Sequence, residues 1–361
     1  MAPAKPRPAP LALARALGLT ASSGVLYGIS FPPLALRPLA WVALVPLLVA
    51  IRRSNLPRAI ALGALWACVM TDVTSDCLPG AVVNYYQQSP AIGWLMLLGA
   101  TVITMVPYYS TFAGAYWALG RRFRAGLPFA AAAAWVAVEL ARVTVLGGNP
   151  WALSGYSQSG VLPLIQIAEV TGVHGVGFVL VAVNAALAEV WLARSDPAPS
   201  KRQALLGLGS AVAVLACVLA YGSARLASLA ARSSRSEPVR IAILQGNLDL
   251  GTQWRQEMYG RNLDVYLKLT ADAIRASAPQ LIFWPESAMT CLLPSRPATS
   301  TPKTGEPAQH GFGPAAEKPA DNCAFAGRRQ AILQAALASP KTCDAADDGT
   351  SSSGPRDAKW G

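Results

Sequence analysis

The sequence predicts an α-helical transmembrane bundle followed by the opening of an α/β domain, and three observations carry that prediction. First, 53% of the 361 residues are apolar and 14% charged, with a mean hydropathy of +0.36. An ordinary soluble domain is about 45–50% apolar and ~25% charged. Second, the apolar residues gather into seven runs ahead of a polar linker, and roughly 20 such residues make one helical crossing of a bilayer. Third, the Lys and Arg residues behind the net charge of +11 sit in short clusters between those runs. Inter-helix loops have that pattern, so the charge reads as orientation in a membrane and nucleic acid is not an expected partner.

The runs lie near Leu11–Ile29, Leu39–Ile51, Ala59–Leu78, Ala91–Leu119, Leu127–Leu146, Val161–Leu192 and Ala204–Leu226. The second is short and carries Pro38 and Pro46, which predicts a kink or a hairpin with the first. Lys5, Arg7 and Arg15 precede or enter the first run as in a secretory signal, but six more runs follow, which predicts a retained helix. With the N-terminus inside, the inner segments hold twelve Lys or Arg residues and the outer ones only Arg37 and Arg142. That bias puts the N-terminus in the cytoplasm. Seven crossings then place everything after Leu226 outside, in the periplasm of a bacterium with two membranes.

Three segments are therefore expected: a bundle over 1–232, an α/β segment over 238–291 and a tail over 292–361. Arg232-Ser-Ser-Arg-Ser-Glu-Pro238 is a polar linker. Val239–Asn247 reads as a buried strand, Arg255–Ala278 as an amphipathic helix through Leu263, Leu267 and Ile274, and Leu281–Trp284 as a second strand stopped by Pro285. One β-α-β unit opens a parallel α/β domain. The tail is rich in Pro, Ser and Thr and has no strand pattern; it is expected to be disordered apart from a short helix over Arg328–Leu337.

The chemical groups are few. Six Cys residues lack metal-ligand spacing and His174 has no second His or acidic cluster beside it, so neither a metal site nor a disulfide framework is expected. Gly172-Val-His-Gly-Val-Gly177 follows no strand and reads as a helix-packing surface, not a phosphate loop. Glu139 and Arg142, three apart on the fifth helix, predict an intramembrane ion pair with a structural role. Asp72 and Asp76 fall towards the outer end of the third helix, where interfacial water would solvate them. Glu286 follows a strand and a Pro at the carboxyl edge of a parallel sheet, where α/β proteins place their sites. It could act as a general base, or cap a helix, or pair on the surface.

Several motifs in order resemble one family. Trp284-Pro-Glu-Ser-Ala288, preceded by Ile241–Asn247 and Trp254, resembles the start of the carbon–nitrogen hydrolase (nitrilase-type) domain of apolipoprotein N-acyltransferases. Phe31-Pro-Pro33 with Pro38–Pro46 is similar to the family's N-terminal signature, and Asn149-Pro-Trp-Ala-Leu-Ser-Gly-Tyr-Ser-Gln158 to its loop between the fifth and sixth helices. Gln166–Gly175 resembles the start of the sixth helix, so the resemblance covers roughly residues 20–290. It implies a transmembrane bundle followed by an incomplete α/β nitrilase-type domain in the bacterial inner membrane. It further implies acyl transfer from a phospholipid donor to the amine of a diacylglyceryl-modified apolipoprotein through a thioester. Glu286 would be the general base, and Trp254, Trp151 and Tyr156 would bind substrate. Membrane lipid is the remaining implied partner, and no cofactor is implied.

The chain departs from the family after Glu286. The family's oxyanion-stabilising Lys and strand-borne nucleophilic Cys have no counterpart: Cys323, Cys343, Lys341 and Lys359 all lie in polar segments without a strand before them. The change after Met289 is expected to mark a frameshift or truncation, leaving a chain that cannot acylate. Two rivals stand beside this reading: a non-catalytic relic that still folds, and a polytopic transporter or channel with a small outer domain.

Overall fold

The computed structural model describes residues 11–75, 77–123, 126–145, 148–194, 200–235, 237–248, 259–285 and 288. The expected tail over 292–361, its helix over Arg328–Leu337, and Trp254, Asp76 and Glu286 lie outside the described residues. The chain divides into two compact units, Met1–Ser236 and Glu237–Gly361.

The first unit is helical. Its elements are α1 (Leu13–Gly28), α2 (Ala40–Ala43), α3 (Val45–Arg52), α4 (Leu56–Thr74), α5 (Cys77–Tyr86), α6 (Pro90–Thr104), α7 (Val106–Arg122), α8 (Leu127–Thr144), α9 (Leu162–Ile165), α10 (Ala168–Leu192) and α11 (Lys201–Ser233). Among the described residues α4, α8, α10 and α11 are each long and apolar enough to cross a membrane, and the pair α6–α7, bent by 45° at Met105, makes a fifth crossing if taken as one span. These helices make the chain a multi-pass membrane protein. The first apolar run forms a helix of 16 residues, about 24 Å at ~1.5 Å per residue and short of the ~30 Å hydrocarbon core.

Helix boundaries follow local chemistry. The Asn55 side chain accepts from the Arg58 backbone N–H at 3.0 Å to start α4. Ser200 and Gln203 form a reciprocal capping box that starts α11. Pro occupies the first turn of α3, α4, α6, α7 and α8, where its missing N–H leaves no internal bond unmade.

The second apolar run is broken, and the cause lies 140 residues away. The side-chain amide of Asn184 on α10 inserts into the ladder between α2 and α3. Its Oδ1 accepts from Leu44 N at 2.9 Å, and its Nδ2 donates to Ala40 O at 2.9 Å. These are the two groups that an unbroken helix would bond to each other, and a side chain entering the ladder there kinks it. Pro46 sets up the break, because it offers no N–H to Val42.

The core is an aromatic cluster from four helices. Trp66 on α4 packs edge-on against Tyr27 at 5.0 Å, Tyr109 at 4.8 Å and Trp135 at 5.5 Å between ring centroids. Phe112 meets Trp135 at 4.8 Å. Tilted and edge-to-face contacts suit the ring quadrupoles. The Trp66 indole N–H donates to Ser23 Oγ at 3.1 Å, and Ser23 Oγ donates to Ala43 O at 2.6 Å. Lipid tails are as apolar as these side chains, so helix association here rests on close packing and such interhelical bonds.

The second unit, taken by itself, contains β1 (Ile241–Ile243), α12 (Tyr259–Ser277) and β2 (Leu281–Phe283). The strands pair in parallel, Ile241 opposite Leu281 and Ile243 opposite Phe283. Both lie inside the expected strand segments and α12 inside the expected helix. Tyr266 of α12 packs tilted by 31° against Trp284 at 5.5 Å between ring centroids, and the Trp284 N–H donates to Thr270 Oγ1 at 3.1 Å.

Helices α4 and α7 approach closely at Gly63, where a Cβ would stand 2.4 Å from the Tyr109 carbonyl oxygen, while nothing lies within 4 Å of one at Gly99. Gly63→Ala is therefore expected to destabilise the detergent-solubilised bundle by about 1–3 kcal/mol, and Gly99→Ala to leave it unchanged or slightly firmer. Thermal unfolding followed by circular dichroism reads both.

Candidate functional site

The candidate site is the loop between α8 and α9, residues 148–161, at the end of the bundle away from Arg52, Arg58 and Arg121. Helix α8 ends at Thr144, where Val145 turns extended (φ −97°, ψ 148°), and beyond it Gly148 takes a φ of +78°, which a side chain would strain. A Cβ there would also lie 2.3 Å from the Val143 carbonyl oxygen. A 3₁₀ turn over Ser154–Gln158 follows.

Glu139 and Arg142 hold this loop in place of pairing with each other. Among the described residues no ion pair joins them. Both are buried, at 1% and 0% exposure. The Glu139 carboxylate accepts from Ser154 N at 2.7 Å and from Ser154 Oγ at 3.2 Å. Arg142 Nη1 donates to the Trp151 carbonyl at 2.7 Å and to Met105 Sδ at 3.4 Å, and its guanidinium stands 5.7 Å from the Tyr109 ring centroid. Spaced i,i+3, the two side chains leave α8 on one face. That face meets loop backbone, whose polar groups need partners that lipid cannot supply, so each charge bonds the loop.

Further bonds complete the clamp. The Tyr27 hydroxyl donates to Ala152 O at 2.9 Å. Asn149 Nδ2 donates to Thr104 Oγ1 at 3.1 Å, and Asn149 Oδ1 accepts from Trp151 N at 3.1 Å. Gln158, 1% exposed, donates to Arg37 O at 3.1 Å and accepts from the Trp41 indole N–H at 3.2 Å. A half-buried loop fastened to α1, the α1–α2 connection, α2, α6 and α8 is a platform.

Trp151 and Tyr156, expected to bind substrate, stand on this platform and face outward at 58% and 45% exposure. Their backbones are fixed while their rings remain accessible, an arrangement that binds a ligand at low entropic cost. Beside the loop, α8 and α10 enclose a cleft of about 420 Å³ lined by Val136, Leu140, Ile167, Phe178, Val179 and His174. Gly172, at φ +63°, bends α10 there. His174, partly buried, stands with Nδ1 3.8 Å from Glu139 Oε2. No group of three or more His, Cys, Asp or Glu residues able to hold a metal occurs among the described residues.

Sequence reasoning singled out Trp151, Tyr156, Glu139 and Arg142 but missed that the charges act on the loop. It also missed Tyr27, Thr104, Asn149 and Gln158 as its fasteners. Two opposite charges inside an apolar run, followed by a Ser-rich loop, were the available signal. Glu139→Leu removes two charge-assisted bonds of about 1.5–3 kcal/mol each. It is expected to speed chymotryptic cleavage at Trp151 and Tyr156 about tenfold or more in detergent. Glu139→Gln, which still accepts from Ser154, is expected to fall between that variant and the parent chain.

Residues 23–186 match the family model described as Apolipoprotein N-acyltransferase N-terminal domain. The chain is 32% identical over 276 residues to a protein named apolipoprotein N-acyltransferase from Geobacter metallireducens, an alignment covering 74% of this chain and 50% of that relative. A protein of the same name from Chlorobaculum tepidum is 27% identical over 282 residues, covering 74% of this chain and 48% of the relative. One from Methylococcus capsulatus is 34% identical over 157 residues, covering 44% of this chain and 28% of the relative. The chain thus spans about half the length of the first two. The matched residues contain the whole clamp, both outward aromatic residues and the Asn184 insertion, and residues 23–186 belong to the N-terminal domain family of apolipoprotein N-acyltransferases.

Proposed function

We propose that the chain supplies the membrane domain of an acyltransferase that moves an acyl chain from a phospholipid to the N-terminal amine of a diacylglyceryl-modified apolipoprotein. The observation that supports it is the coincidence of the family match over 23–186 with the clamped loop that presents Trp151 and Tyr156. In the proposed reaction a thiolate attacks the ester carbonyl of the phospholipid. A C–S bond forms, the C–O bond breaks and a lysophospholipid leaves. The lipoprotein amine then attacks the thioester, forming the amide and freeing the thiol.

Glu286 would take the proton from the thiol and later from the amine, and Trp254 would line the acyl cleft. The parallel β1–α12–β2 unit supports this reading, since β2 leads to Pro285 at the carboxyl edge where a parallel sheet places its site. The same reading takes residues 238–291 as the opening of a nitrilase-type domain in the periplasm. It places the N-terminus in the cytoplasm and the bundle of about seven crossings in a bacterial inner membrane, α1 and the broken α2–α3 segment included. The Lys and Cys that would complete a triad with Glu286 are not recognisable in the 361 residues, so the polypeptide by itself is proposed not to acylate.

The test joins residues 1–290 in frame to the downstream half of the Geobacter metallireducens relative and assays phospholipid-dependent acylation of a diacylated lipoprotein peptide in vesicles. The chimera is expected to be active and the 361-residue chain inactive. Glu286→Gln in the chimera is expected to lower the rate roughly 10²–10⁴-fold. Acylation by the 361-residue chain, or an active chimera indifferent to Glu286→Gln, would overturn the reading.

A further inference from the structure

The connection between α1 and α2 places a cation at the same end of the bundle as the clamped loop. Arg37 opens a 3₁₀ turn over Arg37–Leu39. Its backbone is held from both sides: Leu36 N donates to Ile29 O at 3.0 Å, and Gln158 Nε2 donates to Arg37 O at 3.1 Å. Its half-buried side chain lies over Gly160. A Cβ at Gly160 would stand 2.4 Å from Arg37 Cζ, 2.5 Å from Nη1 and 2.7 Å from Nη2. The carbon is the nearest of the three, whereas an approach within the guanidinium plane would meet a nitrogen first. The group is therefore stacked face-on against the loop, and glycine is the residue that leaves room for it.

Face-on stacking occupies the plane of the guanidinium and leaves its N–H edges for a ligand. Those edges carry donors in a rigid fork, the geometry that takes two phosphate oxygens at once. Exposed apolar and aromatic side chains stand on both segments beside it, Leu34 and Leu36 on the connection, Tyr156 on the loop and Leu162 at the start of α9. A fixed guanidinium among such side chains at the end of a membrane bundle matches the depth of lipid head groups, where aromatic rings gather. The bond from Gln158 ties Arg37 to the same loop that carries Trp151 and Tyr156.

We propose that Arg37, stacked on Gly160, binds the phosphodiester of the phospholipid that donates the acyl chain, an assignment that rests on the donor being a phospholipid. Arg37 thereby makes phosphate a requirement for the donor, since a neutral diacylglycerol offers the guanidinium no anionic oxygens. Gly160 is the positioning residue, because any side chain there would displace the guanidinium from the loop.

The test incorporates the full chain into nanodiscs of phosphatidylethanolamine and diacylglycerol in equal parts with matched acyl chains, releases it into mild detergent, and counts retained lipids by native mass spectrometry. The two lipids differ in the phosphate-bearing head group alone. The ratio between them is read, so a loosened bundle does not mimic the effect, and the readout is binding, so it stands whether or not acyl transfer does. Phosphatidylethanolamine is expected to be retained in preference, and Arg37→Gln to reduce that preference roughly tenfold. Arg37→Lys keeps the charge without the fork and is expected to fall between the two. Gly160→Ala is expected to reduce the preference with Arg37 still present, which keeps the test decisive if Arg37→Gln does not fold. Lys201→Gln with Arg202→Gln, at the start of α11, is expected to change nothing, as is added inorganic phosphate. Equal retention of the two lipids, an unchanged preference in the Arg37→Gln or Gly160→Ala variant, or an equal loss in the Lys201–Arg202 variant would overturn the site. Loss of the preference on adding inorganic phosphate would assign Arg37 to a free anion and overturn its lipid ligand.

Discussion

In a bundle surrounded by lipid, a buried carboxylate must find its donors inside the protein, and Glu139 finds them in a loop backbone. That constraint organises the end of the bundle that bears Trp151 and Tyr156. Ser154 N and Oγ converge on the carboxylate, and Gly177 of α10 packs where a Cβ would stand 2.4 Å from Ser154 Oγ. Helices α8 and α10 and the loop between them are thereby locked into one piece. Arg142 does the complementary work on Trp151 O, so the two side chains divide the loop between them and, among the described residues, form no ion pair with each other. A direct ion pair would satisfy the charges and leave the loop to find its own partners.

The long helices were legible in the sequence because lipid imposes a length and composition rule on any segment that crosses it. Helices α8 and α10 fall within their expected runs, α4 begins three residues ahead of its run, and α11 extends its run by three residues before and seven after. The interruptions were less legible. The run over Ala91–Leu119 reads as one apolar stretch, yet it bends by 45° at Met105, with Pro107 beginning the next helix. Pro38 and Pro46 announced a disturbance in the second run, but its form depends on Asn184, a partner remote in sequence. Local pattern carries no information about which distant side chain will replace a backbone bond.

The candidate site divides in the same way. Residues that stand out chemically, two charges in an apolar run and two aromatic rings in a polar loop, could be named from the chain alone. The donors and acceptors that fasten them could not, since Tyr27, Thr104 and Gln158 are ordinary residues until the fold brings them together. The β-α-β unit was legible for the opposite reason. Its strands and helix are neighbours in sequence, and the parallel pairing of Ile241 with Leu281 is the arrangement that a strand–helix–strand succession predicts.

The amide of Asn184 has a consequence for the order in which the molecule can be made. The two backbone groups that it joins, at Ala40 and Leu44, leave the ribosome 140 residues ahead of it. At about 5–20 residues per second, that interval is roughly 7–28 s. Throughout it Ala40 O and Leu44 N have only each other or water as partners, in surroundings where unpaired amides are costly. The nascent segment must therefore wait in a polar environment, or as a different helix, until α10 is synthesised. Assembly of this bundle is in that sense retrospective, with one of its earliest membrane segments taking its final shape from one of its last.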